Sequence, residues 1–143
     1  RVVGKIGSKD WDLVDLPGLY SLSPYSNEEI VTRNFLLSDN YDVILNVVDA
    51  SHLERSLSLT FECMPMGKPM VIALNMIDVL DRRGIKVKVD KLSEALGVKV
   101  VAISAAKKKG LNDLLDALEN AYAPMKLSAI LSQHPYFRAT RFI

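Results

Sequence analysis

The sequence predicts an α/β fold: a mostly parallel sheet with flanking helices and one antiparallel hairpin at its edge. Three observations carry that expectation. Short apolar runs at 43–49, 70–74 and 98–103 alternate with longer stretches of helical periodicity. Those runs are nearly continuous, the pattern of strands covered on both faces. Polar motifs follow directly after apolar runs, where open parallel sheets place their ligand-binding loops.

Taken in order, 2–6 and 11–15 read as a hairpin joined by the turn-rich link 7–10. After Pro17-Gly18 comes a polar loop, and Asn27 then reads as an N-cap, with Glu28 and Glu29 suited to the first turn of a helix running to about 38–40. The run 43–49 is expected to be a strand buried on both faces, followed by a helix over 53–64 with Leu53, Leu57, Phe61 and Met64 on one stripe. A second buried strand covers 70–74. Short helices follow at 77–83, stopped by Gly84, and at 89–96, stopped by Gly97. A third buried strand at 98–103 leads to an amphipathic helix at 111–122, with Leu111, Leu114, Leu115 and Leu118 inward and Pro124 beyond its end.

Composition narrows the function. The 143 residues are one domain's worth, and 49% hydrophobic with 24% charged is an ordinary globular balance. A formal charge of +1 gives no electrostatic case for nucleic acid as a partner. The apolar runs are too short to cross a bilayer. The single Cys63 has no internal disulfide partner, and with only His52 and His134 beside it no ligand-like spacing for iron or zinc emerges. Arg1-Val2-Val3-Gly4 is not a secretory signal, there is no initiator Met, and an excerpt of a longer protein is expected.

Three motifs carry chemistry. Asp15-Leu16-Pro17-Gly18 follows the first strand pair. A carboxylate there can hold Mg²⁺ through water, and the glycine lets a backbone N–H approach a phosphate. Alone, this pattern more readily describes a plain turn after a strand. Asn75-Met76-Ile77-Asp78 follows the second buried strand. A carboxylate in that place can accept from N1–H and the 2-amino group of guanine, discriminating because a wrong base leaves it unpaired. Taken in isolation, the favoured reading makes Asn75 or Asp78 a helix N-cap. Ser104-Ala105-Ala106 follows the third, with side chains small enough for a backbone amide to reach a flat base. Sixty positions separate Asp15 from Asn75 and twenty-six separate Asp78 from Ser104, about what βα units require.

Together these resemble the third, fourth and fifth signatures of a GTP-binding domain, a Ras-like fold of the P-loop GTPase kind. The stretch 15–37 (DLPGLYSLSPYSNEEIVTRNFLL) is similar to the switch II region of the ferrous iron transport protein B (FeoB) family. The stretches 46–59 (NVVDASHLERSLSL), 73–78 (ALNMID) and 91–104 (KLSEALGVKVVAIS) resemble it too, so the likeness spans about 11–118. The resemblance implies a GTPase module of a bacterial iron(II) transporter that switches with nucleotide state at the cytoplasmic face of the inner membrane. Its ligands would be GTP or GDP and Mg²⁺, its partner the membrane transport domain of the same polypeptide, with room for a homo-oligomer through the parent. Residues 1–124 would be a partial G domain lacking its N-terminal strand and P-loop, and 125–143 the start of a helical domain. Asp15 would hold Mg²⁺ through water and the Gly18 amide would meet the γ-phosphate. Asn75 and Asp78 would read guanine and brace the loop, with Ser104, Ala105 and Ala106 closing over the base; γ-phosphate contacts would order 16–26.

Departures from the pattern matter as much. Met76 stands where the base-reading motif usually has Lys, so base affinity is expected to be weak. Leu19 stands where many small GTPases place a water-orienting Gln, so hydrolysis is expected to be slow or to use other groups, and no catalytic residue is assigned. No G-x-x-x-x-G-K-[ST] occurs; Gly4-Lys5-Ile6-Gly7-Ser8-Lys9 only echoes its letters. The resemblance places the phosphate loop before residue 1, and its strand between the first strand pair and 43–49. The 143 residues alone are therefore expected to be marginally folded and to bind nucleotide negligibly. Lys107-Lys108-Lys109 reads as a solvated loop more readily than a lipid contact, Asp49 as an N-cap more readily than a Mg²⁺ ligand, and His52 as a surface histidine. Tyr20 and Tyr25 flank the switch loop, where loop packing explains them as well as nucleotide sensing does. Two rivals remain open here: a soluble GTPase of the ribosome-assembly type, and a non-catalytic interaction module without a phosphate loop.

Overall fold

The computed structural model describes residues 2–6, 9–16, 27–38, 41–63 and 68–121, in two compact units, Arg1–Tyr41 and Asp42–Ile143. In the first unit, β1 (Val2–Ile6) pairs antiparallel with β2 (Lys9–Leu13). The register runs from Val2↔Leu13 to Ile6↔Lys9, so only Gly7 and Ser8 separate the strands. The expected hairpin is present, but its second strand is 9–13 rather than 11–15. The reason is that an antiparallel ladder keeps pairing until the turn itself, and polar Lys9 and Asp10 do not interrupt it. Among the described residues this hairpin is a two-stranded sheet of its own.

Helix α1 (Asn27–Leu37) includes Asn27 as its first residue rather than as a cap outside it. Thr32 and Leu36 are buried four residues apart, one turn along the same face. Its end is fixed by Ser38, whose N–H and Oγ both donate to the Phe35 carbonyl at 3.1 and 2.6 Å. Beyond it the Tyr41 hydroxyl donates to Leu36 O at 2.6 Å while its ring stacks on Phe35.

The second unit is built on a three-stranded parallel sheet of β3 (Ile44–Asp49), β4 (Met70–Asn75) and β5 (Lys99–Ala102), in spatial order β3-β4-β5. Central β4 matches its sequence: Met70, Val71, Ile72, Ala73 and Leu74 are all buried, because both faces and both edges are covered. Strand β3 does not match. Its burial alternates, with Leu45 40% and Val47 58% exposed. Among the described strands β3 pairs only with β4, so one edge has no strand neighbour. An apolar run shows that a strand can be covered on both faces, not that it is.

A single 3₁₀ turn, Ala50–His52, leads from β3 into α2 (Leu53–Cys63), where Leu53 and Leu57 are buried as expected. The side chain of Phe61, and Met64, fall outside the described residues. Thr60 is buried on the same helix and is satisfied by the Asn46 amide, which donates to its hydroxyl from β3. Helix α3 (Ile77–Arg82) is one residue shorter than expected. Helix α4 (Val89–Leu96) has the expected bounds, with Leu92 and Leu96 fully buried. Gly97 at φ 67° ends it by donating its N–H to the Ser93 and Glu94 carbonyls. The Ser93 hydroxyl then donates to Val98 O at 2.6 Å and accepts from Val100 N at 3.3 Å, which clamps α4 to the start of β5.

Helix α5 (Leu111–Glu119) is shorter than the expected 111–122. The chain leaves it at Asn120, whose side-chain amide donates to Asp116 O at 2.8 Å and takes up a terminal carbonyl. Leu114, Ala117 and Leu118 are buried, but Leu111 is 37% exposed because it stands at the helix start. Among the described residues no helix is long and apolar enough to cross a membrane. The expected helical domain at 125–143 lies outside the described residues.

Candidate functional site

Parallel pairing fixes where the loops meet. Asn75 pairs with Asp49, and Leu74 with Ala102, so the C-terminal ends of the three strands are level. Pairing continues one step past the sheet: Ile103 N–H donates to Leu74 O at 2.9 Å, and Ile77 N–H to Ile103 O at 3.4 Å. Between them Met76 takes φ 67°, ψ 25°, a left-handed conformation unusual for a residue with a side chain. That twist turns the strand into α3, with Met76 at the cap position and no side-chain capping bond. Neither Asn75 nor Asp78 is therefore the N-cap; both side chains serve the neighbouring loop.

The Asn75 side-chain oxygen accepts from Ala105 N–H at 3.1 Å. The Ser104 hydroxyl donates to Asp78 Oδ1 at 3.0 Å. Asp78 Oδ2 lies 3.8 Å from Arg82 Nη2, one helical turn on, and 4.0 Å from Lys107 Nζ in the loop. The Asp78 side chain is only 16% exposed. That desolvation pushes its pKa up, but the Ser104 hydroxyl, a local backbone N–H and the two cations outweigh it and hold the carboxyl below its ordinary range.

The loop that carries these partners is closed at its neck. Ser104 and Lys109 exchange both backbone hydrogen bonds, at 3.1 and 3.0 Å. Buried Ser104 also accepts from Lys107 N at 3.4 Å, so one hydroxyl links the Asp78 carboxylate to the loop backbone. Lys108 takes φ 53°, and Gly110 takes φ 77° just before α5. A Cβ on Gly110 would stand 2.4 Å from the Ala102 carbonyl oxygen, so only glycine fits there. The result is an ionised carboxylate with protein donors or cations on both oxygens and further acceptor capacity on each, suited to a ligand edge with two adjacent N–H donors.

Of the residues the sequence singles out, Asn75, Asp78, Ser104 and Ala105 are thus brought together, with Met76 and Ile77 in the turn between them. Ala106 is exposed at the loop tip. Asp15 and Leu16 lie past the end of β2 in the first unit, with Asp15 exposed; Pro17, Gly18, Leu19, Tyr20 and Tyr25 fall outside the described residues. Asp49 acts as an N-cap: its Oδ1 accepts from Ser51 N at 2.9 Å and from Ser51 Oγ at 2.6 Å, while His52 Nδ1 sits 3.3 Å from Oδ2. The Ser51 hydroxyl is the main cause of its lowered pKa, working against partial burial. Among the described residues no group of three or more His, Cys, Asp or Glu could hold a metal. Two site residues escaped the sequence reading. Arg82 carries a legible signal, a cation four residues after Asp78 on one helix. Lys107 carries none beyond its place in a lysine run, and it is not simply solvated.

A sequence profile described as ferrous iron transport protein B matches residues 2–118. The Fe(2+) transporter FeoB of Staphylococcus aureus (strain MSSA476) is 41% identical over 120 residues, covering 84% of this chain and 18% of the relative. That of Campylobacter jejuni subsp. jejuni serotype O:2 is 45% identical over 109 residues, covering 76% and 18%. The chain therefore spans about a fifth of the length of the curated relatives it matches. Among solved structures, the cytosolic domain of L. pneumophila FeoB superposes with a TM-score of 0.81 at 38% identity, covering 87% of this chain and 50% of that one. The mGMPPNP-bound NFeoB of S. thermophilus gives 0.70 at 57% identity, covering 74% and 41%. The FeoB G-domain of Methanococcus jannaschii gives 0.77 at 42%, covering 82% and 76%.

Proposed function

The chain belongs to the ferrous iron transport protein B family, and we propose that its parallel-sheet unit reads the guanine base of GTP and GDP within a GTPase module of an iron(II) transporter. One observation carries the reading. The Asp78 carboxylate is held ionised by Ser104 from the neighbouring loop, and Asn75 braces that same loop through Ala105 N. Guanine offers two adjacent donors, N1–H and the 2-amino group, which such a carboxylate can accept; adenine offers no such pair. The relatives' nucleotide-bound structures, GDP-bound and mGMPPNP-bound, support the same ligand class.

Bound guanine nucleotide supplies the γ-phosphate whose presence or loss distinguishes the two states of such a switch. This chain's residues then divide the work. Asp78 accepts from the base edge, Ser104 fixes one of its oxygens, and Asn75 ties the loop 104–109 to the end of β4. Ala105 and Ala106 keep that loop free of bulk. Asp15 is an exposed carboxylate past the end of β2, a hard oxygen donor of the kind Mg²⁺ takes, one or two from protein with water and phosphate completing the shell. In this reading Asp15 would hold the ion, and Leu16, Pro17 and Gly18 would face the γ-phosphate. The 143 residues contain no G-x-x-x-x-G-K-[ST], so on their own they are expected to bind nucleotide negligibly. The module works at the cytoplasmic face of the inner membrane, coupled to a transport domain of the same polypeptide, with 125–143 opening a helical domain. Calorimetry on the full-length protein tests the base reading: GDP binds and ADP does not, and equal affinity for the two sinks it.

A further inference from the structure

We propose that Lys107 is a positioning residue for base recognition, holding the Asp78 carboxylate in register with the loop after β5. The inference rests on the base-reading function above and deepens it. Lys107 reaches the Asp78–Ser104 pair twice. Its backbone N–H donates to Ser104 Oγ at 3.4 Å, and its ammonium lies 4.0 Å from Asp78 Oδ2. Ser104 Oγ in turn donates to Asp78 Oδ1 at 3.0 Å. The three residues form a closed ring in which both carboxylate oxygens are anchored to one loop.

Arg82 approaches the same Oδ2 at 3.8 Å, but from α3, the helix that carries Asp78. It fixes the carboxylate relative to its own helix and says nothing to the other loop. Among the described residues Lys107 alone brings a cation to Asp78 from across the site, where Met76 contributes no charge. Arg82, Lys107 and the neutral Ser104 are the groups placed on this carboxylate from α3 and from the loop packed against it. The ammonium is half exposed, so solvent and salt screen the pair.

The expected effect follows from that exposure. Lys107→Met in the full-length protein weakens GDP binding by about two- to fivefold at low salt, the range of a solvent-exposed ion pair. It also moves the acid limb of GDP binding to higher pH, because Asp78 then protonates more readily. The phosphate's own titration is common to native and variant and cancels in their ratio. Lys107→Arg restores both affinity and limb, and 0.5 M salt, a concentration on the order of full screening, removes the difference. An unchanged limb in Lys107→Met, or Arg82→Met reproducing the whole effect while Lys107→Met does nothing, overturns the assignment. Native protein that binds GDP no better than ADP overturns the base-reading function itself, and that result is visible before any variant is made.

Discussion

Replacing Asp78 by Asn exchanges one carboxylate oxygen for an amide NH₂ and removes the charge, with almost no change in shape. In the native site Oδ1 takes the Ser104 hydroxyl at 3.0 Å and Oδ2 faces the Arg82 and Lys107 cations at 3.8 and 4.0 Å. Each oxygen keeps acceptor capacity for one guanine donor. The amide can keep the Ser104 bond on its oxygen, but its NH₂ then meets a guanine N–H donor to donor. One charge-assisted hydrogen bond, worth about 1.5–3 kcal/mol, is lost, and the second is weakened by the missing charge. A total near 3 kcal/mol corresponds to roughly a hundredfold weaker GDP binding. Xanthine carries a 2-oxo group in place of the amine, an acceptor that the new NH₂ satisfies, so Asp78→Asn should prefer xanthosine diphosphate. Competition of both nucleotides against a fluorescent guanine nucleotide on the full-length protein measures the ratio, with urea unfolding as the control for fold. A variant of native stability whose GDP-to-XDP ratio is unchanged would refute the idea that Asp78 meets the base.

Two further perturbations test the scaffold. Gly110→Ala sets a Cβ 2.4 Å from the Ala102 carbonyl oxygen at φ 77° and should cost ~3 kcal/mol, whereas Gly84→Ala, at φ 72° with nothing within 4 Å, should cost only ~1 kcal/mol; urea midpoints compare them. Asp49 and Asp78 both have folded pKa values depressed below the unfolded carboxylate value, so their contribution to stability is present above that value and is lost as pH falls through the folded ones. Urea unfolding measured at a series of pH values should show stability falling less steeply below about pH 4 for Asp49→Asn than for the native protein.

How far the sequence could be read depended on whether a residue's fate was local. The end of α4 followed from Gly97, whose left-handed cap is a property of one residue. Buried β4 followed from an apolar run, because the chain packs on both sides of it. The same reasoning failed for β3, since Leu45 and Val47 depend on what lies across their edge and face, which no run of letters contains. At the site, Asn75, Asp78 and Ser104 were legible because each follows a strand and parallel register brings strand ends level. Lys107 was not. Its approach to Asp78 depends on a loop whose path is set by the left-handed Lys108 and the Ser104–Lys109 exchange, both tertiary outcomes.

That exchange has an evolutionary consequence. With its two feet stapled together, the span from Ala105 to Lys108 is an eyelet tied to β4 through Ala105 and to α3 through Lys107, so its rim can change at exposed Ala106 and Lys108 without tugging on strand or helix. Variation in length and composition should therefore accumulate at that rim among relatives. Such drift could retune how long a nucleotide lingers while leaving the architecture beneath it untouched.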